Sequence, residues 1–343
     1  MTGNDVSDPG RKALTRIEPF LPSELAQTGS GLNRPECVLA TRDGSLYTSD
    51  WTLGIARIAP DGTTGRAVEA DLIAQGFRPN GIALTANGDF LFANMSRRGG
   101  VWQVGQRGEV RPFATELAGC PISPTNFVLA DGDRVWITIS SRTRKHEHFT
   151  AEEQSGQILL VRDGNVTVAA EGLNWTNELR VSPDGQHLFV NETFACRTTR
   201  YDLGASGLLS DPVRINFPAD TYPDGMAFDA EGALWIACVI SNRLIRVAPD
   251  LTWTVLFEDV EHRALEAIAA AYAGGRLTWD QISQSRGSRV TNLTSLAFGG
   301  PDLKTLYLGG LGLQAVQVWR SPVAGMPMAH WAMAAFKGDT ARC

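Results

Sequence analysis

DGMAFDAEGALWIAC (residues 224–238) opens on an acidic residue, alternates apolar positions through Phe228, turns at Glu231-Gly232 and returns through a second apolar run. That layout predicts a β-hairpin: period-two alternation, a glycine turn, then a strand rich in Leu, Trp and Ile. It recurs along the chain. ECVLATRDGSLYTSD (36–50), NGIALTANGDFLFAN (80–94) and NELRVSPDGQHLFVN (177–191) each open on Glu or Asn and reach glycine eight positions later. NFVLADGDRVWIT (126–138) is two residues shorter in the turn, and SLAFGGPDLKTLYLG (295–309) keeps both apolar runs with Leu303 in place of glycine. The six copies start 44, 46, 51, 47 and 71 residues apart.

Further strand-like stretches follow the hairpins, among them IARIAPDG (55–62), GVWQVGQRG (100–108), QILLVRDG (157–164) and RLIRVAPD (243–250). About four strands fit each period, and none of the copies shows helical periodicity. Four strands repeated six times is the signature of an all-β, six-bladed β-propeller, its blades set radially around a channel. The domain expectation is an N-terminal extension over 1–29 that closes on the propeller, a single propeller domain over 30–325, and a C-terminal tail over 326–343. Two insertions break the pattern. Residues 140–156 are polar and read as a long loop between strands of the third blade. Residues 259–292 begin Ala-rich and stop at Gly274-Gly275, which reads as one or two short helices over a rim.

Composition narrows the functional classes. The 343 residues are 43% hydrophobic and 20% charged, with a formal net charge of −6, a profile of a globular protein with ample core material. No Lys/Arg cluster suited to a phosphate backbone is present, so nucleic acid is not an expected partner. No stretch approaches 18 apolar residues and no apolar segment follows the first charges, so neither a membrane span nor a secretory leader is expected, and the expected location is the cytosol. The five cysteines (Cys37, Cys120, Cys196, Cys238, Cys343) are scattered without a CxxC pair; they read as small buried hydrophobes rather than as a disulfide framework or zinc site.

In a propeller the innermost strand of each blade borders the tunnel, so equivalent repeat positions converge on one axis. The first residues of the copies are Glu36, Asn80, Asn126, Asn177, Asp224 and, in the last, Thr294 or Ser295. Oxygen donors of this kind suit a hard cation, Ca²⁺ above all or Mg²⁺, and can accept Mn²⁺ or Zn²⁺; two carboxylates match a divalent charge. The competing reading is local: Asn and Asp at strand starts also satisfy backbone groups in Asx-type turns.

Taken together, VSPDGQHLFV (181–190), YPDGMAFDAEGALWIAC (222–238) and SLAFGGPDLKTLYL (295–308) resemble the gluconolactonase and senescence-marker-protein (regucalcin) family, with the copies spanning about residues 30–320. The resemblance implies a six-bladed propeller holding one divalent metal ion, and hydrolysis of lactones or related esters. It places the metal ligands on Glu36, Asn177 and Asp224 and a substrate-facing side chain on Asn126, with Asn80 facing the same tunnel. Three neighbours depart from the family pattern: Cys37-Val38 after Glu36, Phe127 after Asn126 and Glu178 after Asn177. Phe127 implies a pocket more apolar than a sugar lactone would want.

The expected chemistry is hydrolysis in which the metal polarises the carbonyl and activates water, with Asp224 as general base or, alternatively, a water held by Glu178. Asn80, Asn126 and Phe127 would contact the substrate. Of the five histidines, His146 and His148 share an HEH triplet that reads as a solvated loop, and no Ser-His-Asp or Cys-His set and no GxSxG elbow is present. Phosphotriester hydrolysis, a lyase step at the same site, or a calcium-binding propeller without turnover are the alternatives. The partner expected is a small lactone or ester, and the assembly a monomer or small homo-oligomer.

Overall fold

The hairpin turns share one piece of chemistry. In four copies the glycine N–H donates to the carbonyl three residues earlier: Gly44 to Thr41 at 3.0 Å, Gly88 to Thr85 at 2.9 Å, Gly185 to Ser182 at 2.8 Å and Gly232 to Asp229 at 3.0 Å. All four glycines lie at φ between 71° and 87°, where an L side chain is disfavoured. Leu303 takes the same left-handed conformation at φ 57° in the last copy and closes the same bond to Gly300 at 3.1 Å.

Each turn therefore returns the chain antiparallel, and four-stranded sheets follow. The structure is a computed structural model that describes residues 14–142, 148–150 and 153–333. Its six four-stranded antiparallel sheets form the blades. Their innermost strands are Val38–Ala40, Pro79–Leu84, Phe127–Asp131, Thr176–Val181, Pro223–Phe228 and Leu293–Gly299, and each lies against the next around a closed ring. The sequence places the six blades in this order.

Ring closure comes from the N-terminal side. Ala26–Thr28 adds the outermost strand of the sixth blade, pairing antiparallel with Val316–Arg320. Just before it Phe20 is buried, its ring stacked on Trp319 at 3.8 Å and Phe257 at 4.9 Å. Apolar faces pack between blades, where Trp136, Trp235, Tyr47, Phe77, Phe90 and Phe92 are fully buried.

The inner strands approach one another so closely that two positions have no room for a side chain. A Cβ on Gly225 would meet the Thr294 carbonyl and come within 2.8 Å of the Ser295 Cα; one on Gly81 would lie 2.6 Å from the Phe127 Cα. These are backbone atoms, so relief requires moving a whole strand.

Both insertions lie at the tunnel end where the inner strands begin. α1 (His262–Ala273) is capped by Glu261, whose side chain accepts from Arg263 N and Ala264 N, and ends at Gly274 as the glycine pair predicts. Its face of Leu265, Ile268 and Ala271 packs with Phe194, Tyr222 and Ile240. The short α2 (Trp279–Ser283) follows, and the preceding Leu277–Thr278 pairs with His148–Phe149 from the third-blade insertion. The two insertions are thus joined over the rim. His146 and the side chain of His148 lie outside the described residues.

At the opposite end the C-terminal segment crosses the axis. Met326 N donates to Phe228 O at 2.9 Å, and Arg42 N to Trp331 O at 2.9 Å. His330 is buried between them; burial and then the positive charge of Arg180 lower its pKa to about 4. Three cysteines, Cys37, Cys196 and Cys238, are buried as their reading predicts, whereas Cys120 is exposed because its two-residue strand sits in a surface turn. Cys343 lies outside the described residues. Among the described residues no helix is long and apolar enough to cross a membrane.

Two predictions follow from the packing. Gly225→Ala should cost about 1–3 kcal/mol in urea unfolding, the usual range for overpacking; unchanged stability would show that the strands have room. His330 binds its proton later in the folded chain (about 4) than in the unfolded one (6.5). Its contribution is therefore complete above pH 6.5 and lost as pH falls toward 4. Between pH 7 and 5 it amounts to about 2 kcal/mol. His330→Gln should flatten the pH dependence by that amount, and an identical slope in the variant would contradict it.

Candidate metal centre and active site

The pairing of the inner strand with its neighbour shifts register at one repeat position in four blades. The shifts fall between Pro79 and Ile82, Thr176 and Leu179, Pro223 and Met226, and Leu293 and Ser295. A bulge bends a strand and re-aims a side chain. Here the bulges contain Asn80, Asn177, Asp224 and Thr294. These four first residues therefore leave the sheet pattern at the same repeat position.

What they meet is a buried polar ring. Glu36, Asn80, Asn126, Asn177, Glu178 and Asp224 are between 2% and 8% exposed. Asn80 Nδ2 donates to Glu36 Oε1 at 2.8 Å and to Asn126 O at 2.9 Å, linking three blades. Asn126 Nδ2 donates to Ser140 Oγ at 2.9 Å. Thr294 Oγ1 donates to Glu36 O at 3.0 Å, and Asn191 Nδ2 to Asp224 O at 2.8 Å. The Asn80, Thr294 and Asn191 bonds tie blade to blade, which is a different task from the local Asx turn.

Asn177 is oriented from one side only. Its Nδ2 donates to Thr193 Oγ1 at 3.1 Å, which in turn donates to Pro223 O at 2.8 Å. Its Oδ1 is buried and accepts no hydrogen bond, an expensive state unless a cation or donor satisfies it. Asp224 is pushed well above the ordinary carboxylate range, first by burial and then by the negative charges of Glu36 and Glu178, with Arg34 and Asn177 pulling the other way. Two carboxylates and an unpartnered amide oxygen are the oxygen donors a hard divalent ion takes. The residues fit such an ion, with Glu36, Asn177 and Asp224 as holders. Among the described residues there is no cluster of three or more His, Cys, Asp or Glu spaced for a metal, so this set depends on the Asn177 oxygen.

Within this ring Glu178 forms an ion pair at 3.0 Å with Arg180, two residues on along the same strand. Glu178 Oε2 also accepts from Met226 N at 3.3 Å. Burial raises the Glu178 pKa to about 7, against the lowering effect of Arg180. Arg180 in turn donates to Leu179 O at 2.8 Å and lies 4.8 Å over the Phe127 ring. Phe127, 2% exposed, seats this guanidinium.

Sequence reasoning missed both arginines. Arg34 sits with its Nη2 2.7 Å from Glu36 Oε2 and 3.4 Å from Asn80 Oδ1. Its guanidinium lies 4.3 Å from the Trp51 ring and 5.7 Å from that of Trp279 in α2. The available signal was electrostatic: buried carboxylates converging on one axis require counter-charges, and Arg34 and Arg180 are each two residues from a predicted acidic position.

Comparisons with known proteins agree with this architecture. Regucalcin of Danio rerio is 26% identical over 169 residues, which cover 48% of this chain and 46% of that one. Protein strictosidine synthase-like 7 of Arabidopsis thaliana is 25% identical over 245 residues, 67% of this chain and 64% of its own. The chain thus spans about half to two thirds of the length of these relatives. A solved structure of a calcium-binding protein, regucalcin, from Agrobacterium tumefaciens superimposes with TM-score 0.62 at 18% identity, covering 91% of this chain and 98% of that one; this likeness is one of fold. The family model of the SMP-30/Gluconolactonase/LRE-like region matches residues 34–260, more than half of the sequence, and the chain belongs to that family.

Proposed function

We propose that the protein is a divalent-metal-dependent hydrolase that opens a lactone or related cyclic ester. The observation that carries the reading is the buried meeting of Glu36 and Asp224 with the unpartnered Asn177 oxygen. The gluconolactonase-like family supports the reaction class. Ca²⁺ is the proposed ion, since the donors are all oxygen and the set is small enough to leave positions for water and substrate.

When bound, the ion would act as a Lewis acid on the substrate carbonyl and lower the pKa of water. The chain's own residues supply the rest. Glu178 is the proposed general base: a buried carboxylate close enough to Asp224 for their charges to interact can take the proton of the attacking water and return it to the departing ring oxygen. Arg180 fixes the orientation of that carboxylate. Asn80 and Asn126 hold the Glu36 carboxylate in place through the bonds described above, and the indoles of Trp51 and Trp279, packed on Arg34, are the proposed aromatic wall on the substrate side. Their apolar faces favour a substrate less hydrophilic than gluconolactone, a small molecule rather than a polymer.

Elemental analysis of purified protein should find one divalent ion per chain, lost in Glu36→Gln and Asp224→Asn together with lactone hydrolysis followed by pH-stat. Retention of metal in both variants would remove the site from the tunnel. Glu178→Gln should keep the metal and lose about 10²–10⁴-fold in kcat, the usual worth of a general base; activity near wild type would assign the proton to another group.

A further inference from the structure

Five charged groups share the axis: the carboxylates of Glu36, Glu178 and Asp224 and the guanidiniums of Arg34 and Arg180. Glu178 and Arg180 neutralise each other in a tight pair. The remaining set is Glu36, Asp224 and Arg34. A divalent ion held by the two carboxylates balances them, and Arg34 is then left with a charge that no group in the ring matches.

Arg34 is also under-used as a donor. A guanidinium has five N–H donors, yet both polar contacts of Arg34 in the ring come from Nη2, while Nε is buried with no hydrogen-bond partner. Its side chain is only 11% exposed. The indoles of Trp51 and Trp279 hold the group in place from the tunnel-mouth side. The second of these comes from the inserted segment, so the 259–292 insertion helps position a cation beside the proposed metal. The backbone at Arg34 is left-handed, φ 64°, an uncommon state for a non-glycine residue.

We infer that Arg34 is a specificity-determining residue that receives a carboxylate of the substrate, so that the preferred substrate class is an anionic lactone, one bearing a carboxylate beside the ring. This rests on the lactonase reading above. Planar, bidentate recognition of a carboxylate is what a fixed guanidinium does best, and the aromatic mouth accommodates the apolar body of the same molecule.

The test compares γ-carboxy-γ-butyrolactone with its carboxamide on the calcium-saturated wild type, Arg34→Gln and Arg34→Lys. It is paired with calorimetric titration of glutarate, an unreactive carboxylate probe. Wild type should favour the carboxylate in kcat/KM by about tenfold to a hundredfold, the worth of a hydrogen bond to a charged group. The ratio should fall to near one in Arg34→Gln and recover in part in Arg34→Lys, and glutarate binding should be lost in Arg34→Gln. A wild-type ratio near one, or a ratio preserved in Arg34→Gln, overturns the inference while leaving the lactonase reading intact. If neither lactone is hydrolysed, the lactonase reading fails. Glutarate then decides the anion site alone: binding lost in Arg34→Gln upholds it, and absent or unaffected binding overturns it.

Discussion

Like charge buried on one axis is the constraint around which this protein is built. Glu36, Glu178 and Asp224 are each less than a tenth exposed, and removing an ionised carboxylate from water costs several kcal/mol unless it is paired. Arg180 meets that cost only in part for Glu178, whose pKa burial still raises. Arg34 meets it in part for Glu36. Asp224 is left facing two negative neighbours, and its tunnel-wall neighbour Asn177 presents an oxygen with no donor. A cation at this point would resolve both problems, so the electrostatics as well as kinship support the proposed ion.

The rest of the fold serves to hold that arrangement against its own repulsion. Glycine turns fold each repeat into an antiparallel hairpin, and the hairpins stack into blades whose first strands close a ring. Bulges in four of those strands aim the repeat's first residues inward. Gly81 lets adjacent strands approach until its amide reaches the Asn126 carbonyl, and Gly225 lets its strand close on Thr294 and Ser295. The outer strand at Ala26–Thr28 completes the circle. The tail around His330 packs across the end of the tunnel opposite the rim that carries the insertions.

Much of this was legible in the sequence because the fold is a repetition. Six copies of one hairpin give blade number, turn positions and the ring of first residues, and the Gly274-Gly275 pair gives the end of α1. Pairwise chemistry was less visible. Nothing in a single repeat shows that Asn80 binds Glu36 rather than its own backbone, because the contact crosses from one blade to the next. Arg34 and Arg180 are unremarkable in sequence; only burial beside carboxylates gives them a role. Phe127 reads as a pocket wall, yet its ring faces the Arg180 guanidinium. Cys120 escapes the buried-cysteine expectation because a two-residue surface turn is too short to leave a signal.

The proposed metal centre places one divalent cation between the axial carboxylates and the Asn177 amide. Anomalous diffraction from crystals grown with manganese in place of calcium addresses it most directly, since it locates the ion independently of activity. One strong peak is expected on the propeller axis, at about 2–2.6 Å from oxygens of Glu36, Asn177 and Asp224, the spacing of hard-cation coordination. A featureless axis with Arg34 still paired to Glu36, or a peak elsewhere on the molecule, would contradict it.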